Sequence, residues 1–600
     1  MKIRKLLIAV VIFMFSATVT AAAEISPPVQ CEKFLSDLRD ALPVTPLSEL
    51  TIVESQKPRV HQKNLSTPLR ETDPVIQKMY ELGVISDFKI LADARKRDLT
   101  PEQRTEISEN SIRRASSEAL EYLEKMLGDK VPREQALQQA AVFYEKAYTV
   151  EQFENLFDTN FDVELSPGQI DLVQGVLKLK LPKHPSDSDF MAANLFADTE
   201  DIWAQRLKRF DKTESGLQTP FDFIVPGERF REWYNWDSFF ATLGLLATKK
   251  VEVAKMITEN FLDAIDRYGF VPNGGRDYYL DRSQPPFTSE MVVKIYNLIK
   301  TQGGPQADRW LKERAYPLLV KEYQYWMSVS YDPTYGLNYY WSNLNTPRPE
   351  RYGSDIEENF GETNQHTRAQ AASGKDFTAT HLRRTMDILS VKLNALLWKN
   401  EINLAQLAGE AGLPEAVQFF TDQAAHRKEN FDRYLWDPKG KVWRDFDSKM
   451  GQRLDQFVTP DIYIPLFVGM AEQNKGLSVV RFLHRDPSQG GLLGRGGLIA
   501  SNIFSGMQWD GPNSWPPHNI MALIGLKNYG FNKEARRLAQ NILISDGNIK
   551  AQTGVIWEKR DGLTGQLPVE NKSGYPNQPN LIWSHVEVIQ ALKIMGYDFE

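Results

Sequence analysis

From about residue 190 onward, apolar residues recur at spacings of three and four and are interrupted by short polar stretches in which Gly or Pro often stands. That periodicity is the mark of amphipathic helices. It predicts helices over 251–268, 289–300, 307–331, 383–399, 414–435, 462–472, 516–529, 532–543 and 583–595. Strictly alternating runs are few, so the expected fold class is all-α. No self-similar segment of solenoid length organises the pattern. Polar-aromatic clusters fall between the helices, at 226–240, 273–287, 345–353, 372–378, 443–447, 506–517 and 554–561. In a ring of helix pairs, loops of this kind gather at one face and build a pocket.

The beginning of the chain has a different pattern. Lys2, Arg4 and Lys5 precede an apolar core from Leu6 to Phe15, and Ala21, Ala22 and Ala23 follow. A basic head, a core too short to span a bilayer comfortably and small residues for cleavage form a secretory signal. Residues 1–23 are therefore read as a signal peptide cleaved near Ala23, and the destination as periplasmic or secreted. Residues 24–65, rich in Pro and Ser, read as an extended lead-in, and 73–154 as charged helices. The charged helices read as an appendage ahead of the main run of helices.

Composition narrows the function. At 42% apolar and 25% charged, the chain of 600 residues is globular rather than disordered. Removing Lys2, Arg4 and Lys5 with the signal, and no acid, takes the net charge from −7 to −10, which argues against nucleic acid as a partner. The single cysteine, Cys31, excludes an intramolecular disulfide. The eight histidines are scattered without zinc-like spacing, so no metal and no cofactor is expected, and His518 and His585 are read as structural. The glycine-rich run 490–497 lacks the Lys-Ser/Thr of a phosphate loop.

The strongest chemical signal is Pro226-Gly227-Glu228-Arg229-Phe230-Arg231-Glu232-Trp233-Tyr234-Asn235-Trp236-Asp237, with four aromatic residues, two arginines and three acids. Aromatic faces stack on the apolar faces of a ring, while forked guanidinium and carboxylate groups hold hydroxyls, a mixture suited to a sugar. The segment from Gly506 to Pro517 repeats the theme, with Trp509 and Trp515 beside Gln508, Asp510 and Asn513. Each segment taken alone is also compatible with cap and turn chemistry.

Taken together, these motifs resemble the trehalase family of glycoside hydrolases, which cleave α,α-trehalose with inversion. The first family signature is met at Pro226, Gly227, Arg229, Phe230, Glu232, Tyr234, Trp236 and Asp237, with departures at Glu228 and Phe239. The second is met from Gln508 to Pro517, with Ser514 and Pro516 substituted. Between them, in family order, stand Tyr268 to Gly274, Tyr278 to Phe287, Arg348-Pro349-Glu350 and Trp443 to Asp447. The resemblance covers roughly 145–596, which implies an N-terminal extension at 24–145 with a helical insertion at 100–140, followed by a domain at 146–600. It implies an (α/α)6 toroid over 146–600 as the catalytic domain.

The resemblance also implies roles. Asp376, in Ser373-Gly374-Lys375-Asp376-Phe377-Thr378, takes the place of the general acid, and Glu558, in Glu558-Lys559-Arg560-Asp561, that of the general base. Arg229, Trp236, Asp237, Asn273, Arg282, Ser283, Gln284, Arg348, Pro349, Glu350 and Gly374 take substrate-binding places. The implied partner is a small disaccharide, and a monomer with no membrane contact after signal removal is expected. Two departures lie near the chemistry: the family's tryptophan before the acid is Lys375, and a sugar-binding glutamate is Gly574. A cation beside the acid favours its ionised form unless the side chain points away. These departures leave two other readings open, an inverting glycosidase of another small α-glucoside and an impaired sugar-binding protein.

Overall fold

The structure, a computed structural model, describes residues 165–173, 177–210, 217–227, 230–303, 305–345, 348, 364–569 and 575–599. The signal, the extension with its 100–140 insertion, and Arg229, Pro349, Glu350 and Gly574 lie outside the described residues.

The helices are α1 (Asp187–Arg206), α2 (Asn235–Ala247), α3 (Val251–Tyr268), α4 (Thr288–Gly303), α5 (Pro305–Trp310), α6 (Tyr316–Val329), α7 (Asn364–Ala372), α8 (Val391–Ala411), α9 (Pro414–Tyr434), α10 (Ile464–Phe467), α11 (Gln473–Val480), α12 (Pro516–Asn528), α13 (Asn532–Thr553) and α14 (Ile582–Met595). Among them α2, α4, α8, α10, α12 and α14 each pack on the next, and α14 packs back on α2, closing a ring. A second set lies outside it. Helix α3 covers α2 and α4, α6 packs on α3 and α8, α9 covers α8, α13 covers α12 and α14, and α1 packs on α13 and α14. Helix α11 packs on the turn that leads into α10. This alternation of inner and outer helices is the (α/α)6 toroid.

The sequence separates the two layers. Inner helices α2, α12 and α14 are buried around nearly their whole circumference and carry apolar residues on all sides. Outer helices such as α3 and α9 bury one stripe and give the other face to water, as the amphipathic period requires. Short antiparallel ladders join the loops, including Leu165–Pro167 with Leu207–Phe210 and Asn513–Ser514 with Arg560–Asp561.

Several elements differ from the pattern. The helix expected at 462–472 is a 3-10 turn, Pro460–Tyr463, and the single helical turn α10, because Pro465 removes a donor and Gly469 turns left-handed at φ 80°. The helix expected to stop at 543 runs to Thr553. Gly547 within it lies where a Cβ would meet Met191 of α1, so the glycine serves close packing. The helix expected from 383 starts at Val391, where the Ser390 hydroxyl accepts the Leu393 amide, and ends at Gly412 with φ 79°. Helices α1, α2, α7 and α11 are not among the expected helices; α2 begins inside the first aromatic motif.

The inner and outer layers are stitched by buried ions. Arg560 donates to Asp546 of α13 at 2.9 Å, to both oxygens of Glu587 of α14 at 2.7 and 2.9 Å, and to the Gly496 carbonyl at 2.6 Å. Removing the arginine leaves two carboxyls buried without their cation. Arg560→Met should therefore lower unfolding free energy by about 3–5 kcal/mol in urea titrations, and adding Asp546→Asn and Glu587→Gln should recover most of it.

Candidate active site

One cavity of about 630 Å³, counted with its open mouth, lies where loops from several parts of the ring meet. Its size is that of a small-molecule site. Of the expected site residues it is lined by Trp236, Asp237, Asn273, Arg282, Gln284, Gly374, Asp376 and Glu558.

The first wall follows from the Pro226-Gly227 turn. Tyr234 is extended and ends the loop, α2 begins at Asn235, and Trp236 and Asp237 occupy its first turn. The Trp236 amide donates to Gln284 Oε1 at 3.0 Å, which satisfies one of the free donors of a helix start and fixes the glutamine. Below it, the Tyr234 hydroxyl donates to Glu232 at 2.5 Å and meets the Tyr279 hydroxyl at 2.9 Å, while Arg276 donates to Glu232 at 3.1 Å. Glu232 therefore holds the wall rather than facing the cavity.

Arg282 reaches the cavity from a buried network. It and Arg368 each donate to one oxygen of Asp281, at 2.8 and 2.9 Å, and the Ser342 hydroxyl adds a third bond at 2.7 Å. Burial opposes the charge on Asp281, but Arg282 and Arg368 outweigh it and hold the carboxyl below its ordinary range. Asn273 is oriented by donating to the Ser283 carbonyl at 3.0 Å. The Ser283 side chain turns to the Val271 carbonyl at 2.7 Å, so Ser283 braces Asn273 and does not line the cavity.

The loop from Ser373 to Phe377 carries Asp376. Gly374 has φ 74° and lies where a Cβ would come within 2.6 Å of the Trp236 ring, so glycine is required twice over. The second aromatic motif grips the same loop. Trp509 N donates to Phe377 O at 3.1 Å, Gln508 Nε2 to Asp376 O at 3.2 Å, and Asp510 accepts the Thr378 hydroxyl and the Ala379 amide at 2.7 and 2.8 Å. Asp510 is thus a clamp behind the site. Arg348 donates to Asp376 Oδ2 at 3.0 Å while stacking on Phe377. Asp376 remains 23% exposed and opens to the cavity.

Glu558 enters from the opposite loop and is nearly buried. Gln578 Nε2 donates to its Oε1 at 3.1 Å, and the backbones of the same two residues pair at 2.8 Å. Its own carbonyl accepts the Trp583 indole at 3.3 Å, which anchors the loop to α14. Trp509 stacks on Trp515 at 4.0 Å, and Trp236 and Trp583 meet this pair at angles, giving the cavity an aromatic floor. Trp509, Trp515 and Gln508 belong to the second motif. Phe230, Tyr234, Tyr279, Ala371, Tyr575 and Trp583 complete the lining; Trp583 carries no signal in the sequence beyond its helix, and Ala371 carries none.

Lys375 does not enter the cavity. Its side chain is buried on the other side of the loop, with Nζ 2.5 Å from Asp461 Oδ2. Burial disfavours its charge, yet Asp461 and then Asp445 raise its pKa. His518 is packed edge-on against Trp509 and 3.5 Å from Asp461, and burial lowers its pKa. His585 meets Thr199 at 3.3 Å, and burial lowers its pKa to about 3. The cluster at 443–447 does not join the site. Trp443, Arg444 and Asp445 line a separate cavity of about 240 Å³, and Asp447 accepts from Arg384.

Three carboxyls, Asp237, Asp376 and Glu558, face one enclosed space. For Asp237 the result is a pKa raised to about 8, first by burial and then by Glu558 and Asp376, against its backbone hydrogen bond. Its neutral form, which can donate a hydrogen bond, is thereby favoured near neutral pH.

The Trehalase family model matches residues 84–596. The chain belongs to the trehalase family. As a member it is a glycoside hydrolase, and the family match begins inside the segment assigned to the N-terminal extension. The chain is 32% identical over 436 residues to the periplasmic trehalase of Pseudomonas aeruginosa, covering 67% of this chain and 77% of that protein. Its fold is similar to that of neutral trehalase Nth1 from Saccharomyces cerevisiae, with a TM-score of 0.55 and 26% identity over 69% of this chain and 81% of that one. Among the described residues no helix is long and apolar enough to cross a membrane.

A carboxyl whose native pKa lies above its unfolded value costs stability once the unfolded chain ionises. For Asp237 that loss develops as pH rises from its ordinary 3.8 to about 8 and is constant above. Asp237→Asn should therefore gain stability relative to the parent progressively across that window in urea titrations, with no further gain above it. A relative gain independent of pH would show that the carboxyl is not held neutral.

Proposed function

We propose that the protein hydrolyses α,α-trehalose to two glucose molecules in the periplasm, with inversion at the attacked carbon. One observation carries this reading: Asp376 and Glu558, from loops far apart in sequence, line the same aromatic-floored cavity together with Asp237, Arg282 and Gln284. Membership of the trehalase family supports the substrate, and the similarity to a periplasmic relative supports the location.

In this reading, sugar rings lie on the indole faces while Asp237, Asn273, Arg282 and Gln284 take the hydroxyls. Arg348 orients Asp376, which gives its proton to the bridging oxygen as the glycosidic bond breaks. Glu558, held by Gln578, takes a proton from the water that attacks the anomeric carbon from the opposite face. The neutral Asp237 donates a hydrogen bond without adding a second negative charge beside Glu558. Lys375 leaves the pocket unaltered, since its side chain lies behind the loop.

Purified protein incubated with trehalose, maltose, kojibiose and nigerose, with products followed by proton NMR, tests the reading. Trehalose should be hydrolysed at the highest kcat/KM and should release α- and β-glucose in equal initial amounts. Turnover of another disaccharide but not of trehalose would refute the substrate. Asp376→Asn and Glu558→Gln should each lose roughly 10²–10⁴-fold in kcat while giving an unchanged circular dichroism spectrum.

A further inference from the structure

The acid loop has two faces. Asp376 looks into the cavity, and the next side chain toward the N-terminus, Lys375, is buried behind it with only 1% of its surface exposed. An ammonium group in that position has a cost unless an anion matches it. Asp461, in the 3-10 turn that leads into α10, provides the match at 2.5 Å and is equally buried. Asp461 makes no contact with the cavity that holds Asp376.

We propose that Asp461 is a positioning residue for Asp376: by pairing with Lys375 behind the loop, it keeps that cation out of the pocket and cancels its charge beside the acid. The proposal rests on the reading of Asp376 as the proton donor.

Two physical consequences lead here. First, adjacent residues in this loop project to opposite sides, so whichever side chain is held behind the loop decides which faces the cavity. The loop cannot shift toward Trp236, because Gly374 already lies against the ring. With Asp461 neutralised, the ammonium loses the anion that holds it behind the loop, and turning the loop to bring it to another partner would take Asp376 out of line. Second, a cation one residue from a carboxyl favours the ionised form, which cannot give a proton. Paired with Asp461, the lysine presents a dipole rather than a net charge.

Lys375 is faced by Asp461, Asp445 and Asp510, and by Lys392, His381 and His518. Both histidines have lowered pKa values, first through burial. Lys392 donates to the Ser373 carbonyl at 2.5 Å and lies over Trp236. Its pKa is lowered to about 7, first by burial and then by Lys375. Asp376 itself is faced by Arg348, Asp237, Glu558 and Lys392. Lys392 is pushed down by Lys375 and up by Asp461, so its own charge changes among the variants below, and each comparison is made in a Lys392→Met background as well.

The test compares Asp461→Asn, Lys375→Met and the double variant, using kcat/KM against pH on trehalose and turnover of α-glucosyl fluoride, whose leaving group needs no proton from the enzyme. Asp461→Asn leaves the cation uncancelled, so the alkaline limb should move to lower pH by roughly half a unit or more. Its ratio of fluoride to trehalose turnover should rise at least about tenfold, with KM changed less than kcat. Lys375→Met leaves the anion alone, and the limb should move to higher pH. The double variant removes both charges and should return the limb to the parent position. Opposite shifts with mutual cancellation are the signature of charge, which a loss of packing does not produce. Limbs that stay fixed in the folded variants, or fluoride and trehalose turnover that fall together, would overturn the proposal. If Asp461→Asn does not fold, the upward shift in Lys375→Met and its cancellation in the double variant decide the matter alone. Asp376→Asn separates the two readings: full trehalose turnover in that variant refutes the acid assignment itself, whatever the Asp461 variants do.

Discussion

Cations buried with their carboxylates tie the loops of the pocket to the ring. Arg560 joins the loop of Glu558 to α13 and α14, Arg368 and Arg282 share Asp281 beside the loop of Asn273, and Arg276 holds Glu232 beneath the first motif. Lys375 joins the acid loop to the turn before α10. Such pairs add little net stability, because desolvation offsets much of the attraction. They are costly to break, however, and each has a defined geometry. A site that must place carboxyls accurately on irregular loops needs that kind of specificity more than it needs further apolar burial.

The ring explains why loops can bear this load. Inner helices α2, α12 and α14 are buried almost all round, so the loops that connect them have a dry platform beneath them. The tryptophans sit at the boundary. Trp236 and Trp583 start or join inner helices, while Trp509 and Trp515 belong to the loop before α12. They are at once the top of the core and the floor of the cavity. In that enclosed setting burial raises the pKa of Asp237, and the neighbouring carboxyls of Glu558 and Asp376 add to the effect.

The two aromatic motifs divide their labour in a way their compositions do not show. In the first, Trp236 and Asp237 face the cavity while Glu232 is turned into the wall. In the second, Trp509 and Trp515 face the cavity while Asp510 clamps the acid loop from behind. Both motifs put tryptophan beside carboxylate in sequence. One carboxylate faces the cavity and the other serves the scaffold, because the helix start at Asn235 and the turn at Gly511 present their side chains differently.

The all-α class and most helices were legible because burying a stripe of a helix imposes a period on the chain, and a period survives in one dimension. The elements misread are those where tertiary packing overrides a local signal: Gly547 continues α13 because Met191 needs the space, and Pro465 with Gly469 cuts α10 to one turn. Residue types and motif order named Trp236, Asp237, Asn273, Arg282, Gln284, Gly374, Asp376 and Glu558, all of which the fold brings to one cavity. The direction of a side chain on a loop leaves no such trace. Whether Lys375 disturbs its neighbour or is silenced behind it depends on Asp461, which is remote in sequence and meets it only when the ring closes. Charge acts through space over a few ångströms, so the sequence could supply the groups, and only the folded chain could decide which of them face one another.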